Sequence, residues 1–471
     1  MDTTAPSGAT GNPLEKSAIR KVSIRLVPFV ALMFFINYLD RSAIGFAAPN
    51  GMNDNLALTV TQVGFASGVF FIGYILLEVP SNLALARVGA RRWLARIMVS
   101  WGVVAVLFTW VGNFEQLAVL RFLLGVAEAG FFPGAILFLS LWVPAKHRSR
   151  VLALFYLAQP LTTVIGAPLA GALIASHGLF GLEGWRFMFL CVGIPAIVVG
   201  IVCWFYLKDR PADAKWLTRD EQEWLTQELA AEKAKTEALS TVNGKQPGAL
   251  RAAFGSGRVW ALAVIYFGFI YGLYALAFFL PTIISGFQAQ YGVTYGLVEK
   301  GLITAVPYVP AAIALWLWSR DVTRRGLRTW HIAGPALVGA VTIPVALFAG
   351  SPQLTIAFIA LTAMSIFAVL PNFWTLPTQF LTGAAAAAGV ALINTVGNLA
   401  GFSAPYITGA LADATKDAAG VPQYYAAMAV VGFFMLVSAI VMVILSRRGG
   451  IRTGGAATTA PAPTNETVPA P

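Results

Sequence analysis

The sequence predicts an all-α membrane protein of twelve transmembrane helices in two six-helix halves, and three observations lead to that prediction. Hydrophobic residues make up 58% of the 471 residues and charged residues 11%, whereas a typical soluble domain carries about 25% charged residues. Nearly every apolar run reaches roughly 18 residues, the length needed to span a bilayer. A polar stretch of about fifty residues separates the first six runs from the last six.

The apolar runs set the predicted spans and the limits of the two halves. The first half covers residues 24–207 and the second covers 259–446, with a linker at 208–258. Two six-helix units in one chain indicate an internal repeat. The predicted spans are about 24–46, 62–85, 94–112, 116–142, 150–175, 186–207, 259–284, 298–318, 331–349, 354–380, 388–411 and 423–446.

The two ends and the linker lack this apolar pattern. We predict disorder at 1–23 and 447–471, because residues 1–15 are rich in Gly, Pro, Ser and Thr, and the tail is rich in Ala, Thr and Pro. Within the linker, Thr218 and Glu221 have the spacing of a capping box. That spacing predicts a surface helix, which we expect to bridge the two halves.

Basic residues fix the predicted orientation. Of the 32 Lys and Arg residues, 27 fall in the N-terminal segment, the linker, the tail and the loops at 87–96, 146–150 and 320–328. All of these lie on one side if the spans alternate, and basic loops stay in the cytoplasm. Both termini are therefore predicted to be cytoplasmic, in a plasma (bacterial inner) membrane. The net charge of +11 needs no nucleic-acid partner to explain it.

The sequence offers no support for enzymatic or metal chemistry. His147, His177 and His331 are widely separated, and Cys191 and Cys203 fall in one apolar helix as small apolar residues. No nucleophile–base pattern or nucleotide-binding loop is present. We expect no cofactor, no metal site and no enzymatic activity, and we expect the chain to work as a monomer in the lipid bilayer.

Charged residues interrupt the predicted spans of the first half: Asp40, Arg41, Glu78, Arg121 and Glu128. A charge at the bilayer centre costs roughly 2.5–3.5 kcal/mol, so we expect these side chains to face a hydrated cavity or one another. Arg121 and Glu128 are two helical turns apart and share a face, with Gly125 between them. The small Gly125 leaves room for a ligand or a neighbouring helix.

This set of charges suits the exchange of a proton for an anion. Arg41 and Arg121 stay protonated and present planar donor groups that match a carboxylate. Asp40 and Glu128 can change protonation as their surroundings change. The alternative is two static ion pairs that hold the first and fourth helices together.

Other polar side chains in the spans are candidate substrate ligands: Tyr74, Gln159, Trp374 and Asn394. The flat face of Trp374 suits a ring or a sugar-acid chain. Packing between helices is the alternative for each of them. Asn398, with Gly397 and Gly401, is expected to pack helices closely.

Two acidic residues are predicted to have gating or structural roles. Glu78 lies one turn beyond Tyr74 and could pair with an arginine such as Arg87; direct participation in proton coupling is the alternative. Asp321 lies in the short basic loop at 319–328, which corresponds to the loop after the second helix.

Several motifs resemble those of known carriers. The loop at 82–92 resembles the signature of the major facilitator superfamily, although Ala86 stands where an acidic residue is usual and Ala90 where an arginine is usual. More specific motifs resemble, in order, those of the anion:cation symporter family: NYLDR at 37–41, EVPSN at 78–82, RFLLGVAE at 121–128, FWTLP at 373–377 and NTVGN at 394–398.

The resemblance implies a carrier whose two halves rock about a central site. It implies that Asp40 and Glu128 are proton sites and that Arg41 and Arg121 bind the anion. Bacterial members of that family take up sugar acids, tartrate or aromatic carboxylates with protons. We therefore expect a proton-coupled symporter that imports a small organic anion. The alternatives are an anion exchanger, an efflux carrier or a non-transporting membrane sensor.

Overall fold

The computed structural model describes residues 12–242, 254–377 and 383–448, and the regular structure in these ranges is entirely helical. The all-α class is confirmed. The main helices are α1 Pro13–Ala47, α2 Val60–Val88, α3 Ala90–Leu107, α4 Phe114–Glu128, α5 Phe131–Ser140, α6 Ala145–Ala175, α7 Gly184–Tyr206, α8 Arg219–Val242, α9 Gly257–Ser285, α10 Leu297–Ala305, α11 Tyr308–Arg325, α12 Trp330–Ala346, α13 Pro352–Phe373, α14 Gly383–Ala414 and α15 Tyr425–Arg447.

Within these ranges, ten helical stretches are long and apolar enough to cross a membrane. Three of the ten contain a break. The first, Pro13–Leu56, has non-helical backbone at Asn50 and Gly51. In the other two, α4 and α5 meet at Gly130, whose φ of 84° favours glycine, and α10 and α11 meet at Pro307. The predicted ninth span corresponds to α12, an apolar helix of 17 residues, and the predicted eleventh corresponds to α14. The chain is a multi-pass membrane protein, and a count of twelve spans stays a prediction.

The first helix begins at Pro13, well before the expected start near residue 24. Asn12 caps it by accepting a hydrogen bond from the backbone N–H of Leu14 at 3.0 Å. The part of the predicted disordered arm that the structure describes, residues 12–23, is thus largely helical. Residues 1–11, like the tail from 449 onward, lie outside the described residues.

Glu221 attaches this early part of α1 to α8. Its carboxylate accepts hydrogen bonds from the Ser17 hydroxyl at 2.6 Å and from Lys21 Nζ at 2.8 Å. The same carboxylate closes a capping box with Thr218, accepting from its backbone N–H at 2.8 Å. The contacts with Ser17 and Lys21 are tertiary, so local composition alone did not indicate them.

The described part of α8 is held against the first half. Besides the Glu221 contacts, Glu232 pairs with Arg148 at 2.7 Å and accepts from the backbone N–H of Ala145 at 2.9 Å. We expected a helix that bridges the two halves, and these bonds instead join it to the helices of the first half. The linker residues 243–253 lie outside the described part of the chain.

Replacing Glu221 by Gln is expected to weaken the attachment of α8 to α1 by about 1.5–3 kcal/mol, the range for hydrogen bonds to a charged group. Burial raises the pKa of Glu221, but the bonds from Lys21, Ser17 and Thr218 outweigh it and hold the pKa at about 2. The ordinary value is 4.5, so this stabilisation is present above pH 4.5 and is lost as the pH falls toward 2.

The measurement is the apparent Tm of the purified protein in detergent between pH 7 and pH 3. The Tm of the wild type should fall more steeply below pH 4.5 than that of the Glu221→Gln variant. Glu223→Gln is the matched control, since Glu223 is exposed and, among the residues that the structure describes, pairs only with exposed Arg219 in α8. Equal Tm values for the Glu221→Gln and Glu223→Gln variants would contradict the role of Glu221.

The two halves touch through their backbones at the end of the bundle remote from α8, here termed the far end. At this end α2 packs on α14, and α6 packs on α10. A Cβ on Gly64 would collide with the carbonyl oxygen of Pro405, and one on Gly301 would collide with that of Ala167. Only glycine permits so close an approach of the two helices.

A polar contact adds to this closure at the far end. Asp413 accepts hydrogen bonds from the backbone N–H of Thr61 at 2.7 Å and from its hydroxyl at 2.6 Å. The opposite end of the bundle, which carries α8, is termed the linker end. Between the closed far end and the linker end, the halves enclose a cavity.

Candidate functional site

A cavity of about 410 Å³ lies between the two halves. Helices α1, α2, α5 and α6 of the first half line it, together with α9, α13 and α14 of the second half. The size is within the usual range for a small-molecule site. Most of the candidate residues line this cavity: Arg41, Tyr74, Glu78, Gln159, Trp374 and Asn394.

Arg41 presents the positive charge of the cavity wall. Its side chain is 12% exposed, and it is the only lysine or arginine among the described residues that line the cavity. One nitrogen, Nη2, donates to Glu128 Oε2 at 2.9 Å, and the other, Nη1, donates to the hydroxyl of Tyr274 at 3.3 Å. The guanidinium also lies 4.8 Å from the ring centre of Phe70 and 5.4 Å from that of Tyr74.

Glu128 lies behind Arg41 and is fully buried. Its Oε2 atom accepts from Arg41 and also from Asn37 Nδ2 at 2.7 Å. The other oxygen, Oε1, accepts no hydrogen bond from the described residues. Glu128 is the last residue of α4, and the break at Gly130 follows it. The sequence thus places an acidic group where the helix ends inside the membrane.

Asp40 and Arg121 complete the buried cluster. Arg121 is fully buried and donates from Nε to the carbonyl of Ala66 at 3.2 Å and from Nη2 to the carbonyl of Arg41 at 3.5 Å. Asp40 is also fully buried, and neither of its carboxylate oxygens accepts a hydrogen bond from the described residues. The charges of Glu128, Arg121 and Arg41 all act on Asp40.

The four central charges therefore lie together, but they do not share one surface. Arg41 faces the cavity, whereas Asp40, Arg121 and Glu128 lie behind its wall. Arg121 was predicted to touch the substrate directly, and in this conformation it contacts backbone carbonyls instead. Gly125 packs against the backbone of Phe70, so the space beside it accommodates a neighbouring helix rather than a ligand.

The second half contributes polar and aromatic side chains to the cavity. Asn394 Nδ2 donates to Glu78 Oε1 at 2.9 Å and so links α14 to α2 across the cavity. Trp374 packs edge-on against Tyr266 with ring centres 4.9 Å apart. Asn398 also lines the cavity, whereas its sequence pattern predicted helix packing alone.

Gly397 and Gly401 do pack closely, as expected, against aromatic rings. A Cβ on Gly397 would collide with Tyr266, and one on Gly401 would collide with Phe71. These glycines thus bring α14 close to the rings beside the site.

Two candidate residues lie away from the cavity. Arg87 is exposed at the end of α2 and has no ion pair within the described ranges; the partner of Glu78 is Asn394, not Arg87. Asp321 lies at the linker end of the second half, where it pairs with Arg325 and His331, both at 2.9 Å. Asp321 therefore joins α11 to α12, in keeping with a structural role.

Sequence reasoning missed three tyrosines of the cavity wall: Tyr156, Tyr266 and Tyr274. Each stands in an otherwise apolar stretch, where a tyrosine is compatible with lipid, core or cavity. The hydroxyl of Tyr274 touches Arg41 from the second half. The one signal in the sequence was that α9 contains few polar groups, so Tyr266 and Tyr274 stand out there among apolar residues.

If the chain performs the transport that the motif resemblance implies, replacing Glu78 by Gln is expected to leave the rate within about threefold of the wild type, because an amide oxygen can accept the same bond from Asn394. Glu78→Ala should reduce transport more, since it removes the link between α2 and α14. The measurement is the initial rate and final level of uptake in proteoliposomes. Loss of accumulation in Glu78→Gln alone would instead indicate that Glu78 takes part in coupling.

A helical membrane protein with a buried charge cluster beside a cavity between two halves has the architecture of a membrane transporter. Residues 30–405 match the family model of the Major Facilitator Superfamily, and the chain belongs to that family. The family resemblance of the motifs is thus confirmed.

Two relatives and one solved structure illustrate the similarity. The chain is 45% identical over 442 residues, 93% of this chain and 94% of the other, to an Agrobacterium vitis protein named "Putative tartrate transporter". It is 36% identical over 405 residues, 86% and 91% of the two chains, to the quinolone resistance transporter of Acinetobacter baumannii. These relatives and the family are transporters, so this chain is a transporter and not an enzyme.

The fold is similar to a bacterial homolog of the human lysosomal transporter Spinster, in an inward-facing and occupied conformation. The TM-score is 0.68 at 18% identity, with 93% of this chain and 98% of the other covered. At that identity the similarity shows a shared fold and gives no information about the substrate.

Proposed function

We propose that this transporter is a proton-coupled symporter that imports a small organic anion such as tartrate, a sugar acid or an aromatic carboxylate. The observation that carries the proposal is the pair of Arg41 with Glu128 at the cavity wall. A carboxylate arriving in the cavity can replace Glu128 as the partner of Arg41. The tartrate name of a relative at 45% identity supports this substrate class.

Glu128 supplies one proton site in this proposal. When the substrate carboxylate takes over Arg41, Glu128 is left buried without its cation, and an ionised carboxylate is costly there. Glu128 then takes up a proton. When the substrate leaves, Arg41 returns to Glu128 and the proton is released.

Asp40 supplies the second proton site. Its two oxygens are buried and accept no hydrogen bond within the described part of the chain. An ionised carboxylate in that position lacks the donors that offset its desolvation, which favours the protonated form in this conformation. Arg121 acts as a fixed positive charge behind the wall, and its electrostatic influence reaches Asp40.

Orientation and architecture belong to the same proposal. The basic loops support a cytoplasmic linker end, and in this proposal the twelve predicted spans divide into halves at 24–207 and 259–446 within a plasma (bacterial inner) membrane. The far end is then external and closed, and the chain operates as a monomer by rocking the halves about the cavity.

The test is uptake of labelled L-tartrate, D-galactonate and benzoate into proteoliposomes of the full chain. An inward proton gradient should drive accumulation of at least one of them, and an uncoupler should abolish it. Uptake that ignores the gradient but responds to unlabelled anion on the opposite side would establish an exchanger and refute symport. No transport of any anion tested, with ligand binding retained, would favour the sensor.

An efflux carrier is the second candidate, because a relative at 36% identity is named a quinolone resistance transporter. Quinolones carry a carboxylate as well, so the same Arg41 site could bind them. Loading vesicles with a quinolone and imposing a proton gradient of the opposite sense separates the two directions. Proton-driven export without anion uptake would replace the symport proposal.

A further inference from the structure

A second cavity lies at the linker end, outside the substrate site. Its volume is about 730 Å³, and it lies between the membrane entry of α1, the start of α3, the end of α7 and the loop that follows α7. Four basic side chains line it: Arg25, Arg91, Lys208 and Lys215. No residue of the cavity between the halves contributes to it.

The charges of this basic groove are only partly neutralised. Asp209 is engaged with Arg91, accepting from its backbone N–H at 2.8 Å and lying 3.9 Å from its Nε. Asp213, the other acid of the groove, is exposed. Lys215 is exposed and has no ion pair among the described residues. An excess of positive charge is therefore left on the groove.

Aromatic side chains frame the same groove. The guanidinium of Arg25 lies 5.4 Å from the ring centre of Trp216, and both residues line the groove. At the last turn of α7, Trp204, Phe205 and Tyr206 are exposed, Phe205 by 70%. The Tyr206 hydroxyl donates to the carbonyl of Arg25 at 3.1 Å.

Exposed aromatic rings at the end of an apolar membrane helix mark the boundary between hydrocarbon and headgroups. The basic groove thus lies at headgroup depth, with apolar rings directly beside it. A phosphate group in the groove could accept bonds from arginine and lysine donors. Acyl chains attached to that phosphate would lie along the exposed rings of α7.

We propose that the groove lined by Arg25, Arg91, Lys208 and Lys215 binds the phosphate headgroup of an anionic phospholipid from the adjacent leaflet. Charge complementarity selects an anionic lipid over a zwitterionic one, since basic pockets beside membrane helices attract anionic headgroups. The cations lie directly beside exposed aromatic rings. This favours a lipid over a soluble phosphate, because only a lipid has acyl chains that can contact those rings. The lipid would fasten the membrane entry of α1 to the end of α7.

The experiment is native mass spectrometry of the delipidated full chain in detergent, titrated with phosphatidylglycerol. Phosphatidylcholine and glycerol 3-phosphate are the comparison ligands. We expect saturable binding of phosphatidylglycerol, weaker binding of phosphatidylcholine by about tenfold or more, and no competition by glycerol 3-phosphate at the same concentration.

The variant for the test is Arg25→Gln with Lys215→Gln, and the control is Arg324→Gln with Arg328→Gln. The control removes the same charge from exposed positions at the linker end of the second half. We expect the first variant to bind phosphatidylglycerol about thirtyfold more weakly, since two cations near the headgroup are removed. The control should bind as the wild type does.

Three results would overturn the proposal. They are equal binding by the two variants, equal binding of the two phospholipids, and competition by glycerol 3-phosphate, which would indicate a soluble phosphate ligand. A Lys215→Gln single variant keeps the test valid if the double variant fails to fold, because exposed Lys215 has no ion pair to lose within the described ranges. It should still weaken binding about fivefold.

Discussion

Replacing Glu128 by Gln is expected to abolish proton-driven accumulation, with the ratio of internal to external substrate falling to about one. The glutamine amide cannot release a proton, yet its oxygen can still accept the bond from Asn37. Arg41 loses its anionic partner and becomes free for a substrate carboxylate. Binding and counterflow should therefore persist at rates within about threefold of the wild type.

The measurement is a pair of assays on the same proteoliposomes. One follows accumulation under an imposed proton gradient, and the other follows exchange of labelled for unlabelled substrate without a gradient. Glu115→Gln is the matched control, since Glu115 is exposed in the first turn of α4 and both activities should be kept. Proton-driven accumulation by the Glu128→Gln variant at the parent rate would reject the proposed coupling.

Replacing Arg41 by Lys should weaken substrate binding by about tenfold to a hundredfold. Lysine keeps the positive charge but loses the planar donor pair that reaches Glu128 and Tyr274 together. The loss corresponds to a charge-assisted hydrogen bond of about 1.5–3 kcal/mol. The dissociation constant, measured by calorimetry with the anion identified in the uptake screen, reports the change.

Arg41→Gln should abolish binding, but alone it also leaves Glu128 buried without a cation, which costs about 3–5 kcal/mol. The control is the double variant that combines Arg41→Gln with Glu128→Gln. It should melt near the wild-type Tm while still failing to bind the anion. Binding by the double variant within twofold of the wild type would show that Arg41 does not recognise the carboxylate.

The central charges could be found from the sequence because each carries a large insertion cost. Asp40, Arg41, Arg121 and Glu128 stand in apolar runs, and the structure brings all four into one cluster. Which of these side chains reach the cavity and which lie behind its wall could not be found in this way. The sequence does not reveal that Arg41 alone reaches the cavity, because helix rotation depends on packing against other helices.

Contacts between the halves were the least predictable part of the site. Glu78 and Asn394 are more than 300 residues apart in the chain, and neither carries a local pattern that indicates its partner. The capping box at Thr218 was visible because it is local. The contact of Glu221 with Ser17 and Lys21 was not visible in the sequence. Ser17 and Lys21 belong to the part of α1 that the structure shows as helix where disorder was predicted.

The close backbone contacts at Gly64 and Gly301 make the far end of the bundle physically different from the linker end. In the proposed cycle, closure at the far end brings backbone against backbone, so few charged groups lose their hydration, and Asp413 is the exception. The linker end instead carries arginines and carboxylates on each half separately, as in the pair of Arg148 with Glu232 on the first half and of Asp321 with Arg325 on the second, and such groups are strongly hydrated. In the proposed cycle we therefore expect closure at the linker end to remove more water from charged groups, and the two closure steps to meet barriers of different physical origin.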